Sequence, residues 1–110
     1  MNNYSYKGVT QMEVKLSISQ ETKQKVSNLF KTLSDPTRIS IIYALTEKAL
    51  TVTELSQKLN MTHSAISHQL RVLRDAYLVK NTKVGKEVYY ELADNHVHTI
   101  FNQAIEHVEE

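Results

Sequence analysis

Two helix-start signals, Thr51 and Thr62, stand eleven residues apart and constrain this 110-residue chain more than any other feature. Thr51-Val52-Thr53-Glu54 reads as a capping box. The Thr hydroxyl can accept from the backbone N–H three residues on, and the Glu carboxylate can reach back to the Thr N–H. Leu55 and Leu59, one turn apart, give the short helix that follows an apolar edge. Asn60-Met61 is a tight connection, and Asn tolerates the backbone that ends a helix. Thr62 caps a further helix expected to run to about Asp75, with Ile66, Leu70 and Leu73 on one side. Two short helices joined by so few residues follow the helix-turn-helix plan.

The flanking segments extend this plan. Ser19 can cap a helix on which Val26, Leu29, Phe30 and Leu33 repeat at i, i+3, i+4 and i+7. Ser34-Asp35-Pro36 breaks it and starts the next, with Asp35 as cap and Pro36 where a missing N–H costs nothing. Ile39, Ile42, Tyr43 and Leu45 make that second helix apolar enough to be largely buried. After Asp75 the period changes. Leu78–Thr82 and Glu87–Leu92 read as strands, and Lys83-Val84-Gly85-Lys86 as the turn between them. From Asp94 a helical stripe returns in Val97, Ile100, Phe101, Ala104, Ile105 and Val108. The expected order is α-α-α-α-β-β-α, mainly α with a β-hairpin wing: a winged helix-turn-helix over residues 19–110. Residues 1–18 show no sustained period and are expected to form an arm or a short extra helix.

Two Gly and one Pro suit long helices rather than a multi-loop β fold, and the absence of Cys removes disulfides, thiolate metal sites and cysteine nucleophiles. No apolar stretch approaches a membrane span and the first residues carry no signal-peptide run, so a cytoplasmic protein is the expectation. A domain this small buries a modest core, and a partner subunit would help it.

The net charge of +1 hides a division. Residues 58–90 carry Lys58, Arg71, Arg74, Lys80, Lys83 and Lys86 against Asp75 and Glu87, a net of +4. Residues 91–110 carry Glu91, Asp94, Glu106, Glu109 and Glu110 with no Lys or Arg, a net of −5. The first segment suits a polyanion and the second a cation.

A helix entering the major groove needs small polar side chains near its start and cations for the backbone. The stretch from Thr62 to Arg71 supplies both: His63, Ser64, Ser67, His68 and Arg71 fall off the apolar stripe, and Gln69 lies among them. Such a face can be plain solvated helix surface. The capped helix before it and the Lys-containing hairpin tip favour double-stranded DNA. Lys83 and Lys86 are then expected to contact phosphate or the adjacent minor groove, although hairpin tips also carry Lys for solubility.

Asp94, His96, His107 and Glu110 offer two imidazoles and two carboxylates, a donor set for a borderline divalent metal. On a helical wheel His96, His107 and Glu110 fall within roughly 60° of one another, and Asp94 is a natural N-cap. Along the axis His96 and His107 are about 16 Å apart, so one ion cannot take all four ligands from one chain. An antiparallel pairing of two last helices would bring Asp94 and His96 beside the other subunit's His107 and Glu110, and two-fold symmetry would make two sites. The helix also has an apolar stripe to bury in a partner. Isolated His residues more often simply face solvent. His98 points to another side and is expected at the surface or as a spare group. Glu109 could replace Glu110, though from a different flank.

The chain resembles the ArsR/SmtB family of bacterial metal-responsive repressors over about residues 20–110. The resemblance rests on Leu33-Ser34-Asp35-Pro36-Thr37-Arg38-Ile39, on Ser64-Ala65-Ile66-Ser67-His68-Gln69-Leu70, and on Gly85 through Tyr90. It implies a homodimer joined through terminal helices, an inverted-repeat operator, and a zinc-sensing branch using Asp-x-His at the start of the last helix and His-x-x-Glu at its end. Asp94, His96, His107 and Glu110 fill those positions. The family's Cys-x-Cys site for arsenic or cadmium has no counterpart, since Leu55-Ser56 stands there. Zn(II) is the expected regulatory ligand, with Co(II) a mimic in vitro.

The expectation is a repressor that binds its operator as an apo dimer and is released by Zn(II) at inter-subunit sites. The alternative is a winged-helix regulator without metal sensing. An enzyme is not expected: no phosphate loop, nucleophile elbow or His-Glu-x-x-His is present.

Overall fold

Local capping sets where each helix begins in the computed structural model, which describes residues 17–110. Five helices and one antiparallel hairpin occur among the described residues: α1 (Gln20–Leu33), α2 (Pro36–Leu45), α3 (Val52–Leu59), α4 (His63–Asp75), β1 (Val79–Val84), β2 (Glu87–Leu92) and α5 (Asn95–Glu109). Ser19, Asp35, Thr51, Thr62 and Asp94 are the N-caps, each accepting a backbone N–H on its side chain. The arm expected for residues 1–18 lies almost wholly outside the described residues.

The capping box at Thr51 is complete. Glu54 N donates to Thr51 Oγ1 at 3.1 Å, and Thr51 N donates to Glu54 Oε1 at 2.9 Å. Asn60 closes α3 in the left-handed region at φ 56°. Thr62 follows at once, so the turn between α3 and α4 is as short as its residues require.

The apolar stripes of α2, α3 and α4 converge. Ile41, Ile42, Leu45, Leu55, Ile66, Leu70 and Leu73 are fully buried, and Leu50, Leu78, Val79 and Leu92 bring the hairpin base into the same core. Leu50 exchanges backbone hydrogen bonds with Tyr90 at 2.9 and 2.8 Å, tying the segment before α3 to the wing. Val97 and Phe101 seat α5, and the Phe101 ring lies 6.4 Å from that of Tyr43. This is a winged helix-turn-helix.

Three details differ from expectation. On α2 the buried face is Ile41, Ile42, Ala44 and Leu45, whereas Ile39 and Tyr43 are exposed. That helix is apolar nearly all round, so periodicity does not choose its inner face. The turn is shorter than four residues: Lys83 and Val84 belong to β1, Val84 pairs with Glu87, and only Gly85-Lys86 connect the strands. Gly85 at φ 65° supplies the positive φ of a two-residue hairpin turn. His98, expected at the surface, is half-buried against the start of the α2–α3 connection and the end of β2.

Candidate nucleic-acid interface and metal ligands

The α4 start presents the expected polar face. His63, Ser64, His68 and Arg71 are exposed and Ser67 is half-buried, while Ile66, Leu70 and Leu73 anchor the opposite side. Anchoring by three core residues fixes the helix roll, so the polar face cannot rotate inward. Gln69 is half-buried, and its Oε1 accepts from Arg38 Nη1 at 3.3 Å. The structure thus turns Gln69 toward α2, away from the most exposed edge of α4.

Lys83 and Lys86 are exposed at the wing tip. The register pairs Val79 with Leu92, Asn81 with Tyr90 and Lys83 with Val88. Strand side chains alternate, and Val79 and Leu92 are buried. Lys83 therefore lies on the wing face directed to the body and α4. Sequence reasoning misses Arg74, which is exposed on the same α4 edge as Ser67 and Arg71, at i, i+4 and i+7. That spacing was the available signal.

At the other end of the fold, Asp94 caps α5. Its Oδ1 accepts from Val97 N at 3.1 Å, and His96 Nδ1 lies 3.5 Å from the same oxygen. The Val97 N–H holds the Asp94 carboxyl below its ordinary value, and the neighbouring His96 acts in the same direction. The His96 imidazole is 92% exposed and open to a ligand. His107 and Glu110 are exposed at the far end of α5. Among the described residues no group of three or more His, Asp or Glu is placed to hold a metal within one chain. The structure brings together Asp94 with His96 only. His98 stands apart from them, beside Glu47 and Glu91 in a cavity of about 260 Å³.

Residues 35–81 match the family model described as bacterial regulatory protein, arsR family. A transcriptional repressor SmtB homolog of Synechocystis sp. is 40% identical over 93 residues, covering 84% of this chain and 70% of that protein. The chain belongs to the arsR family. It is accordingly a DNA-binding transcription regulator and not an enzyme. Another member similar to it is a cadmium resistance transcriptional regulatory protein CadC homolog of Staphylococcus aureus, 35% identical over 97 residues, 87% of this chain and 80% of the relative. The solution structure of apo-NmtR superposes with a TM-score of 0.73 at 35% identity, covering 84% of this arsR-family chain and 78% of NmtR. No helix among the described residues is long and apolar enough to cross a membrane.

Proposed function

We propose that this arsR-family chain is a metal-responsive repressor that binds an inverted-repeat operator as a metal-free homodimer and is released by Zn²⁺ held between subunits. The observation that carries the reading is the layout of α5. Asp94 and His96 sit 3.5 Å apart at its start, while His107 and Glu110 stand at its end, about 16 Å away at 1.5 Å per residue. Each chain therefore offers two half-sites that only a second chain can complete.

Unburied apolar side chains support a second chain. α1 has 14 residues and buries none of them fully, leaving Val26 and Phe30 exposed. On α5, Ile100 is exposed at the flank of the Val97–Phe101 stripe, and Val108, on that same stripe, is exposed near the end of the helix. Contiguous apolar surface on terminal helices is surface to bury in a subunit contact. Pairing of the two α5 helices head to foot would set Asp94 and His96 beside His107 and Glu110 of the partner subunit.

The donor set fits the metal. Two imidazole nitrogens and two carboxylate oxygens suit tetrahedral Zn²⁺, and Co²⁺ would occupy the same geometry. Cys is absent, so thiolate coordination of softer ions is not open to this chain. Asp94 Oδ1 is engaged by the α5 N-terminus, which leaves Oδ2 for the ion. Four protein ligands leave no open position for a substrate, as regulation rather than catalysis requires.

On the DNA side, His63, Ser64, Ser67, His68 and Arg71 would meet the base edges and phosphates along the major groove, Lys83 and Lys86 the flanking backbone or minor groove, and Gln69 would steady the helix that carries them. Two reading helices would enter successive major grooves one helical turn apart. Zn²⁺ empties the operator only through tighter binding to the conformation with low DNA affinity.

The test is a titration of operator binding. Anisotropy of a labelled duplex from upstream of the chain's own coding sequence should show binding by metal-free protein and loss of binding with one Zn²⁺ per chain. His107→Ala should bind the duplex and ignore Zn²⁺. Unchanged operator affinity in saturating Zn²⁺ would leave a winged-helix regulator without metal sensing.

A further inference from the structure

We propose that a polar cleft between α4 and β2 seats one backbone phosphate of the DNA duplex, held by Arg71 and Arg74 with Tyr90 and Ser67 as hydroxyl donors. The proposal rests on the DNA-binding reading and adds to it a site behind the base-reading face. The cleft has a volume of about 220 Å³ and is lined by Ser67, Leu70, Arg71, Arg74 and Tyr90. No carboxylate is in its wall. Among the described residues neither guanidinium forms an ion pair, although Asp75 follows one turn after Arg71. Two unneutralised guanidiniums on one helix edge repel each other, and an anion between them reverses that cost.

The surroundings select the anion. His63 and Ser64 at the α4 start point where base edges would lie, whereas Arg71 and Arg74 occupy its second half, facing the wing. In a winged helix that grips a duplex with α4 in the major groove, the sugar–phosphate strand runs between that helix and the hairpin. Lys83 lies on the same wing face as Tyr90, continuing the positive track along that path. Arg is suited to the position because its planar fork can give two parallel hydrogen bonds to a phosphate, while Tyr90, half-buried and fixed by its backbone bonds to Leu50, presents its hydroxyl from a rigid strand.

Phosphate binding carries no sequence information, and this separates it from base reading and from a purely structural role for Arg74 at the α4 C-terminus. The experiment uses the full metal-free chain, a duplex from upstream of its own coding sequence, and a shuffled duplex of equal length, each titrated over a range of salt. Arg74→Gln should weaken both duplexes alike, by roughly tenfold, and should lower the salt slope by about 0.9 for each phosphate no longer neutralised. Arg74→Lys should restore the slope and part of the affinity. Tyr90→Phe should weaken both duplexes by roughly threefold with the slope unchanged, because the donor it removes is uncharged. Ser64→Ala should reduce only the preference for the native duplex. Wild-type affinity and slope in Arg74→Gln would overturn the cleft while leaving DNA binding intact. A wild-type chain that binds neither duplex would overturn DNA binding and the cleft with it.

Discussion

Arg38 Nη1 donates to Gln69 Oε1 at 3.3 Å, joining α2 to the reading helix α4 across 31 positions of sequence. The same guanidinium donates through Nε to the Thr32 carbonyl at 2.8 Å, and the Arg38 backbone N–H donates to Asp35 Oδ2 at 3.0 Å. One residue thus holds the end of α1 and the middle of α4 through its side chain, and the α1–α2 corner through its backbone N–H. Because α1 carries the exposed apolar residues Val26 and Phe30, this tie links the proposed subunit contact to the DNA-reading element.

Breaking the tie should cost stability. Arg38→Met should lower unfolding free energy by about 2 kcal/mol and Gln69→Leu by about 1 kcal/mol, as for partly buried hydrogen bonds to a charged group. The double variant should lose less than the two together, because the second change removes a bond already gone. Urea unfolding of the four proteins checks this. Fully additive losses would mean that the 3.3 Å hydrogen bond contributes nothing.

The caps are legible in the sequence and the tertiary ties are not. Ser19, Asp35, Thr51, Thr62 and Asp94 are read correctly because a cap involves residues within three positions of one another. The α4 core stripe is legible because polar residues interrupt Ile66, Leu70 and Leu73 at helical spacing. On α2 the run Ile39 to Leu45 lacks such contrast, so Ile41 and Ala44 as core, and Tyr43 as surface, emerge only from packing. The Arg38–Gln69 bond and the half-burial of His98 depend on elements distant in sequence. Of the candidate sites, the exposure of the α4 face and the proximity of Asp94 and His96 agree with the sequence, whereas Gln69 is partly occupied elsewhere.

Tyr77, 85% exposed, has the left-handed φ of 61° between the end of α4 and β1. Nothing in the sequence around it signals this, because Tyr is not a turn residue. A bulky residue there stores strain that Gly would not. Tyr77→Gly should raise unfolding free energy by about 1 kcal/mol, even after the greater entropy of Gly in the unfolded chain is counted. The rise should be visible as a higher Tm in calorimetry, and a lower Tm would contradict it.

Asp94 gives stability an acid limb. Its folded-state pKa is depressed, chiefly by the Val97 N–H and further by His96. Its contribution is therefore complete above the unfolded value, about 3.9, and is lost as pH falls through the lower folded value. Asn can cap α5 with its amide oxygen but does not titrate. In metal-free protein the stability advantage of wild type over Asp94→Asn should thus shrink below about pH 4. Urea unfolding at a series of acidic pH values checks it, and a difference constant with pH would refute the depressed pKa.

The shared metal site is tested most directly by mixing two defective chains. One carries Asp94→Ala with His96→Ala, the other His107→Ala with Glu110→Ala. Each alone should fail to give the visible absorption of tetrahedral Co²⁺. Unfolded together in equal amounts and refolded, they should form mixed dimers with one intact site, so the signal should return to about one quarter of the wild-type value. No return of signal in the mixture, or full binding by either chain alone, would contradict a cation clamped between subunits.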